Sequence, residues 1–295
     1  MYYNNSTVIF LDGEYVNAAD QHISLYSQTV QYGIGVFEGI RSYDTADGVR
    51  IFKGKKHFER LKFSAEKMGM QVDYSVEELV RSAYKLLEKN NLHDAYIRPI
   101  VYMGDNMSLI PNDKVHVAIV AWKWGNYLGD HLLNVCLSSF ERPNPKSCFV
   151  EAKVCGHYTN SILATSEAKR KGFDEALQLD MNGFVAEGPG ANFFFEKDGL
   201  LITAPQGHIL PGITRSTVFE LAKELDIEIQ ERSFKPEELF SADAAFFCGT
   251  ATEITGIQKI ENYEFPLKWE DSVSNLIQRA YKRRVTSNEH KDLYI

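Results

Sequence analysis

The stretch CFVEAKVCGHYTNSILATSEAKRKG, Cys148–Gly172, poses the question on which both fold and function turn. Cys148 to Val154 reads as a strand, and Asn160 to Lys171 as a helix stopped by Gly172, since glycine tolerates the left-handed conformation that ends helices. Lys153 lies between them, just before Gly156. A strand facing a core excludes an ammonium, because an unpaired buried charge is strongly unfavourable. The bland reading is a lysine snorkelling at a strand end. The other is a lysine whose nitrogen is not an ammonium when it works. Cys155, two residues on, can be weighed as a nucleophile, but only neighbouring His157 offers itself as a partner.

Outward from this stretch the signals alternate between hairpins and helices. Downstream, EALQLDMNGFVAEG and NFFFEKDGLLITA set Asn-Gly and Asp-Gly between apolar runs, which predicts two hairpins. Thr214 to Leu225 follows as a helix with Val218, Leu221, Ala222 and Leu225 inward, and a last helix spans about Trp269 to Arg283. Upstream, LLNVCLSSF reads as a strand. VIFLDGEYVN and IRSYDTADGVRIF read as hairpins, KKHFERLKFSAEKMGM as a helix ending near Gly69, and AYIRPIVYMG and KVHVAIVAWKW as strands. Ser75 and Glu78 form a capping box ahead of Leu79, Val80, Ala83, Leu86 and Leu87. The Gly/Asn/Tyr stretch WGNYLGD suits a linker. The expected fold class is α+β in two domains: residues 1–122 a small α+β domain, 123–130 an interdomain linker, and 131–295 a large α/β domain.

Composition narrows the function. A chain of 295 residues with 44% hydrophobic and 24% charged residues sits at the globular average, and its net charge of −8 argues against nucleic acid or an anionic membrane as partner. No run approaches the ~18 consecutive apolar residues of a membrane span. The N-terminus lacks a basic segment followed by an apolar one, so a cytoplasmic protein is expected. Cys136, Cys148, Cys155 and Cys248 show no C-x-x-C spacing, which suggests reduced thiols and no metal site.

YGIGVFEGI carries Gly33, Gly35 and Gly39, but a strand, GIRSYD, follows instead of the helix that a dinucleotide's pyrophosphate requires. LPGITRS and CGTATEI are better anion turns. In the first, the N–H groups of Ile213 and Thr214 open a helix, although Thr214 also suits a plain N-cap. Glu187 and Tyr158 each have a bland place, as a turn carboxylate and a packed ring. Together with Lys153 they supply an amine for a Schiff base, a carboxylate for a pyridinium nitrogen, a phenol for a ring hydroxyl and a phosphate cup.

From Tyr32 to about Ile260 the chain resembles the branched-chain amino-acid aminotransferases, which are D-amino-acid-aminotransferase-like (fold type IV) pyridoxal-phosphate enzymes. YGIGVFEGIR, HFERLKFSA, AYIRPIVY, WGNYLGD, AKVCGHYTNSILATSEAKRKGFDEALQLD, GFVAEGPGANFFF, LPGITRS and CGTATEITGI carry the likeness in order and spacing. The resemblance implies pyridoxal 5'-phosphate bound covalently by the catalytic Lys153, with Glu187 at the pyridine nitrogen, Tyr158 at the ring hydroxyl, and Arg60, Ile213, Thr214 and Thr250 at the phosphate. It implies substrate walls from Tyr32, Phe37 and Tyr127, room at Gly39, an α-carboxylate site at Tyr96 and Thr250–Ala251, and Arg98 for glutamate's second carboxylate. The activity implied is ping-pong transamination of leucine, isoleucine and valine with 2-oxoglutarate, in a homodimer or higher homo-oligomer whose Tyr32 and Asp105–Pro111 loop reach a neighbour's pocket. The small-molecule partners are then amino acids and 2-oxo acids. Two departures stand out: MGDNMSLIPN lacks the expected glycine- or arginine-rich loop, and Ala191 replaces a frequent glutamate. Other fold-type-IV transaminases, acting on D-amino acids among others, and aminodeoxychorismate lyase are the alternatives. A noncatalytic binding protein conflicts with the retained lysine, glutamate, tyrosine and phosphate turns.

Overall fold

Asp12 and Gly13 take positive φ, 48° and 95°, forming the two-residue turn whose twist suits a hairpin and joining β1 (Val8–Leu11) to β2 (Glu14–Asn17). The computed structural model describes residues 2–111, 113–125, 128–129 and 131–286. The chain divides into two units, the first running up to Gly125 and including Ala152–Gly156 and the chain from Val285, the second comprising the rest.

In the first unit, α1 (Gln28–Tyr32), β3 (Gly35–Phe37), β4 (Ile40–Thr45), β5 (Gly48–Ile51), α2 (Gly54–Lys67), α3 (Val76–Lys89), β6 (Ala95–Met103) and β7 (Val115–Trp122) follow. Among the described residues they make a sheet ordered β2-β1-β7-β6-β4-β5, with β3 pairing the far half of β6. Ser75 caps α3 through the expected box, bonding the Glu78 N–H while Glu78 returns to the Ser75 N–H. Phe58 and Leu61 of α2 and Leu79, Ala83 and Leu86 of α3 bury their apolar stripes with Ile97, Val101 and Ile119 of the sheet.

Ala152 and Val154 belong to this same core, and Val154 bridges Val36. Cys148–Val154 is therefore not the strand expected from its residues. Upstream, the carbonyl of Asn144 accepts from the N–H of Ser147 (2.8 Å) and of Cys148 (3.3 Å), so the approach is a turn, and among the described residues the segment pairs only at that one bridge. The alternation that suggested a strand is nonetheless present, with Ala152 and Val154 buried and Lys153 half-buried between them.

The second unit comprises β8 (Leu133–Leu137), α4 (Tyr158–Arg170), β9 (Glu175–Leu179), β10 (Val185–Glu187), β11 (Asn192–Lys197), β12 (Leu200–Thr203), α5 (Ile213–Glu224), β13 (Ile229–Glu231), β14 (Ala244–Gly249), β15 (Glu253–Ile260), β16 (Tyr263–Glu264) and, as far as Arg284, α6 (Val273–Thr286). The strand order is β10-β9-β8-β15-β14-β11-β12-β13, and because β10 also pairs β11, the strands from β10 round to β11 close into a ring. β8 and β9 run parallel, which requires a crossover, and α4 supplies it. Phe193, Phe195, Phe234 and Phe247 fill the core. The single last helix expected from Trp269 is two elements. Trp269–Asp271 is a 3₁₀ turn, after which the Ser272 hydroxyl donates to the Trp269 carbonyl and accepts from the Asn275 N–H, capping α6. Among the described residues no helix is long and apolar enough to cross a membrane.

Candidate active site

In the first unit the site grows from one face of α2. His57, Arg60 and Ser64 are spaced by three and then four residues, which aligns them along one side of a helix. Glu38, between β3 and β4 and fully buried, accepts from Arg60 at both oxygens: Nε to Oε1 at 2.6 Å and Nη2 to Oε2 at 3.0 Å. His57 Nδ1 lies 2.7 Å from Oε2. Burial pushes the Glu38 carboxyl up, yet the Arg60 guanidinium and His57 together hold it far below the usual carboxylate range. An ionised carboxylate only accepts, so Nδ1 carries a proton and donates. Burial lowers the His57 pKa against the pull of Glu38.

Ser64 connects this face to Lys153, accepting from the Lys153 N–H at 3.0 Å, while the Phe37 N–H donates to the Lys153 carbonyl at 3.1 Å. Two cations lie near the Phe37 ring. Lys153 Nζ is 5.1 Å and the Arg98 guanidinium carbon 4.6 Å from its centroid, both within cation–π range. Tyr96 and Arg98 share a face of β6, as alternation predicts, and Arg98 Nη2 donates to the Tyr96 hydroxyl at 3.3 Å. The buried Nε of Arg98 has no hydrogen-bond partner among the described residues. Gly39 is required by this arrangement, because a Cβ there would stand 1.9 Å from the Tyr96 oxygen. Arg41 donates to the Gly125 carbonyl at 2.9 Å.

Tyr32 lies elsewhere in the unit, its hydroxyl donating to the Met107 carbonyl at 3.1 Å. Tyr127 lies outside the described residues. Cys155 is unsuited to nucleophilic attack, since burial pushes its thiol above the ordinary value and so disfavours the thiolate.

The second unit holds the other group. Glu187 ends β10, buried, with N–H groups of three residues beside it. Oε1 accepts from the Leu210 N–H at 3.0 Å and lies 2.9 Å from Arg142 Nε, and Oε2 accepts from Asn192 Nδ2 at 2.9 Å. Asn192 also donates to the Leu210 carbonyl, which fixes the turn leading to α5. At the head of α5 the N-cap is Gly212, not Thr214, and it has no side chain with which to cap the helix. A side chain at 212 is excluded, since its Cβ would fall 1.9 Å from Asn192 Oδ1. Ile213 and Thr214 thus occupy the first turn, where amide N–H groups lack intrahelical acceptors. Thr250 and Ala251 form the turn between β14 and β15. Gly249, just before it, lies so close to Gly190 that an added Cβ would be 3.2 Å from the Gly190 carbonyl oxygen. Tyr158 opens α4 directly after the 3₁₀ turn Cys155–His157.

Glu38, His57, Ser64, Arg142 and Asn192 are absent from the sequence reading of the site. The spacing of His57, Arg60 and Ser64 along a helix was a usable signal. Asn192 stands opposite Glu187 across the short β10–β11 hairpin, whereas nothing local in ERPNP ties Arg142 to Glu187.

A sequence profile described as amino-transferase class IV matches residues 35–260. The chain is 41% identical over 280 residues to a branched-chain-amino-acid aminotransferase of Pseudomonas aeruginosa, covering 93% of this chain and 91% of that one. Its counterpart in Escherichia coli is 39% identical over 281 residues, with 92% and 91% covered. Among solved structures, the branched-chain aminotransferase of Thermoproteus uzoniensis with norvaline superposes with a TM-score of 0.93 at 38% identity, covering 97% of each chain. The branched-chain amino acid aminotransferase of Thermobaculum terrenum in its PLP form gives 0.91 at 31% identity, covering 98% of this chain and 97% of that one.

Proposed function

Because this chain belongs to the class IV amino-transferases, an α+β fold with pyridoxal-phosphate chemistry, we propose that it transfers the amino group of leucine, isoleucine and valine to 2-oxoglutarate in two half-reactions at one site. Pyridoxal 5'-phosphate supplies the electron-withdrawing ring that makes Cα of the amino acid acidic. The residues present fit it. Lys153 is the covalent anchor and then moves the proton at Cα. Glu187 pairs with the ring nitrogen and Tyr158 with the ring hydroxyl. The phosphate is held by Arg60, by the N–H groups of Ile213 and Thr214, and by Thr250. The uncapped start of α5 supports this, as N–H groups and dipole both favour an anion there.

The observation that carries the substrate reading is Arg98. A site shared by aliphatic and dicarboxylic substrates needs an apolar wall with one cation that can engage or stand aside. Here a guanidinium lies by the rings of Phe37, Tyr96 and Trp122 with its buried Nε unbonded among the described residues. Phe37, Tyr32 and Tyr127 are the apolar walls, Gly39 leaves the room that the Tyr96 hydroxyl fills, and Tyr96 with Thr250–Ala251 receives the α-carboxylate. Arg98→Ala should slow the glutamate half-reaction tenfold or more, as losing a partly buried ion pair costs ~2–5 kcal/mol including the stranded partner. Leucine should change little. Stopped-flow measurement of both half-reactions checks this, and equal losses would make Arg98 a structural residue. Leucine and D-alanine tested against 2-oxoglutarate separate the branched-chain reading from a D-amino-acid transaminase: preference for D-alanine would overturn it.

A homodimer as the minimal active unit is supported by the surface around Tyr32. Gln28 donates to the carbonyls of Ser108 and Ile110, and Asn106 N–H to that of Tyr26, so α1 and the Asp105–Pro111 loop form one platform. Leu25, Tyr26, Leu109 and Ile110 stand 67–84% exposed on it, an apolar patch of the kind that marks an interface. Light scattering should give at least a dimer, and Leu109→Asp with Ile110→Asp should lower both mass and activity. Full activity in a demonstrated monomer would refute a shared site. A small domain (1–122), a linker (123–130) and a large domain (131–295) in the cytoplasm complete the reading, with Ala152–Gly156 belonging to the first unit and Ala152 and Val154 packing in its core.

A further inference from the structure

The Glu38, His57 and Arg60 cluster is more elaborate than stability requires. An apolar trio of similar volume would fill the same space, and replacing buried ion pairs in this way is often neutral or stabilising. The burial is graded. The Glu38 side chain is 0% exposed, that of His57 2% and that of Arg60 12%, so the guanidinium stands outermost with the carboxylate and imidazole behind it. Two bonds from one carboxylate to Nε and Nη2 fix a guanidinium plane, as a single bond cannot. The Nδ1–H of His57, on Oε2, stops that carboxylate from rotating. The same helix face, through Ser64, holds the main chain of Lys153.

We propose that Glu38 and His57 are positioning residues that orient the Arg60 guanidinium for the cofactor's phosphate, an inference that rests on the assignment of Arg60 to that phosphate. Charge alone makes the opposite prediction. Glu38 offsets the charge of Arg60, so removing the carboxylate raises the local positive charge and, without an orienting role, should tighten the binding of a dianion.

The experiment titrates the full-length apoprotein with pyridoxal phosphate and, separately, with pyridoxal, which lacks the phosphate but has the same aldehyde for Lys153. Dissociation constants are read by fluorescence and folding by circular dichroism. Glu38→Gln and His57→Leu should weaken pyridoxal phosphate roughly tenfold or more, the size expected when hydrogen bonds to charged groups are lost. Pyridoxal affinity should stay unchanged. His57→Asn, whose amide N–H takes the place of Nδ1–H, should keep the wild-type preference for the phosphorylated ligand. Should Glu38→Gln not fold, the two His57 variants decide. Tighter phosphate binding in Glu38→Gln, or equal losses for both ligands, overturns the proposal. Arg60→Gln separates the two levels. If it leaves pyridoxal phosphate affinity intact, the phosphate assignment itself fails; if it weakens affinity while Glu38→Gln and His57→Leu do not, only the positioning role fails.

Discussion

Lys153→Ala should abolish transamination and leave the chain folded. The fold at this position depends on main chain and neighbours: the Lys153 N–H bonds Ser64, its carbonyl accepts from Phe37, and Ala152 and Val154 are buried in the first unit's core. An alanine keeps all of these. What it loses is the amine that anchors the cofactor and moves the proton at Cα. A positioned acid–base group contributes ~10²–10⁴-fold, and because one nitrogen serves both roles their losses do not add independently. Turnover should therefore fall at least 10³-fold by that reasoning, on the order of the upper part of the range. Borohydride should fix the cofactor to the peptide containing Lys153 in the parent chain and to none in the variant. Cofactor can still bind noncovalently. Substantial turnover by a folded, cofactor-loaded Lys153→Ala protein would sink the assignment.

How far this site was readable follows from the range of each signal. Asp12-Gly13 and Asp198-Gly199 announced hairpins because both residues of each pair take positive φ, a demand met within two positions. The pairing of Tyr96 with Arg98 followed from strand alternation. The α3 cap was written in four consecutive residues. By contrast, Cys148–Val154 misled because alternation reports burial, and burial here comes from insertion beside Val36 and not from a ladder. Thr214 resembled a cap, yet Asn192 closes off any side chain at 212 and leaves glycine in that role. Asn192 meets Glu187 across the β10–β11 hairpin, but Arg142 and the Leu210 N–H reach it from two distant segments. No periodicity links them, so only the folded chain reveals that this carboxylate is surrounded by donors. The class IV match and the order of the motifs made the activity legible where individual side-chain roles were not.

That ring of donors shapes the second large effect, expected for Glu187→Gln. Both carboxylate oxygens accept, Oε1 from Leu210 and Oε2 from Asn192, with Arg142 Nε 2.9 Å from Oε1. A glutamine amide has one acceptor atom and one donor atom. Whichever way it is turned, its NH₂ faces a donor, and a buried donor left without an acceptor costs ~1–3 kcal/mol. Some loss of thermal stability should follow, but the chemical consequence is larger. A charged acceptor favours a protonated ring nitrogen and a neutral amide does not, so the ring withdraws electrons from Cα less strongly. Cofactor should still bind, through the phosphate contacts and Lys153, while Cα deprotonation slows on the order of 10²-fold, within the range of a positioned acid–base effect. Glu187→Asp keeps the charge with a shorter reach and should recover part of that rate, which a purely steric or stability defect would not allow. Single-turnover rates with leucine, measured at matched cofactor occupancy, decide the matter: a folded, loaded Glu187→Gln protein with an unchanged rate would remove Glu187 from the ring nitrogen and leave it a structural partner of Arg142 and Asn192.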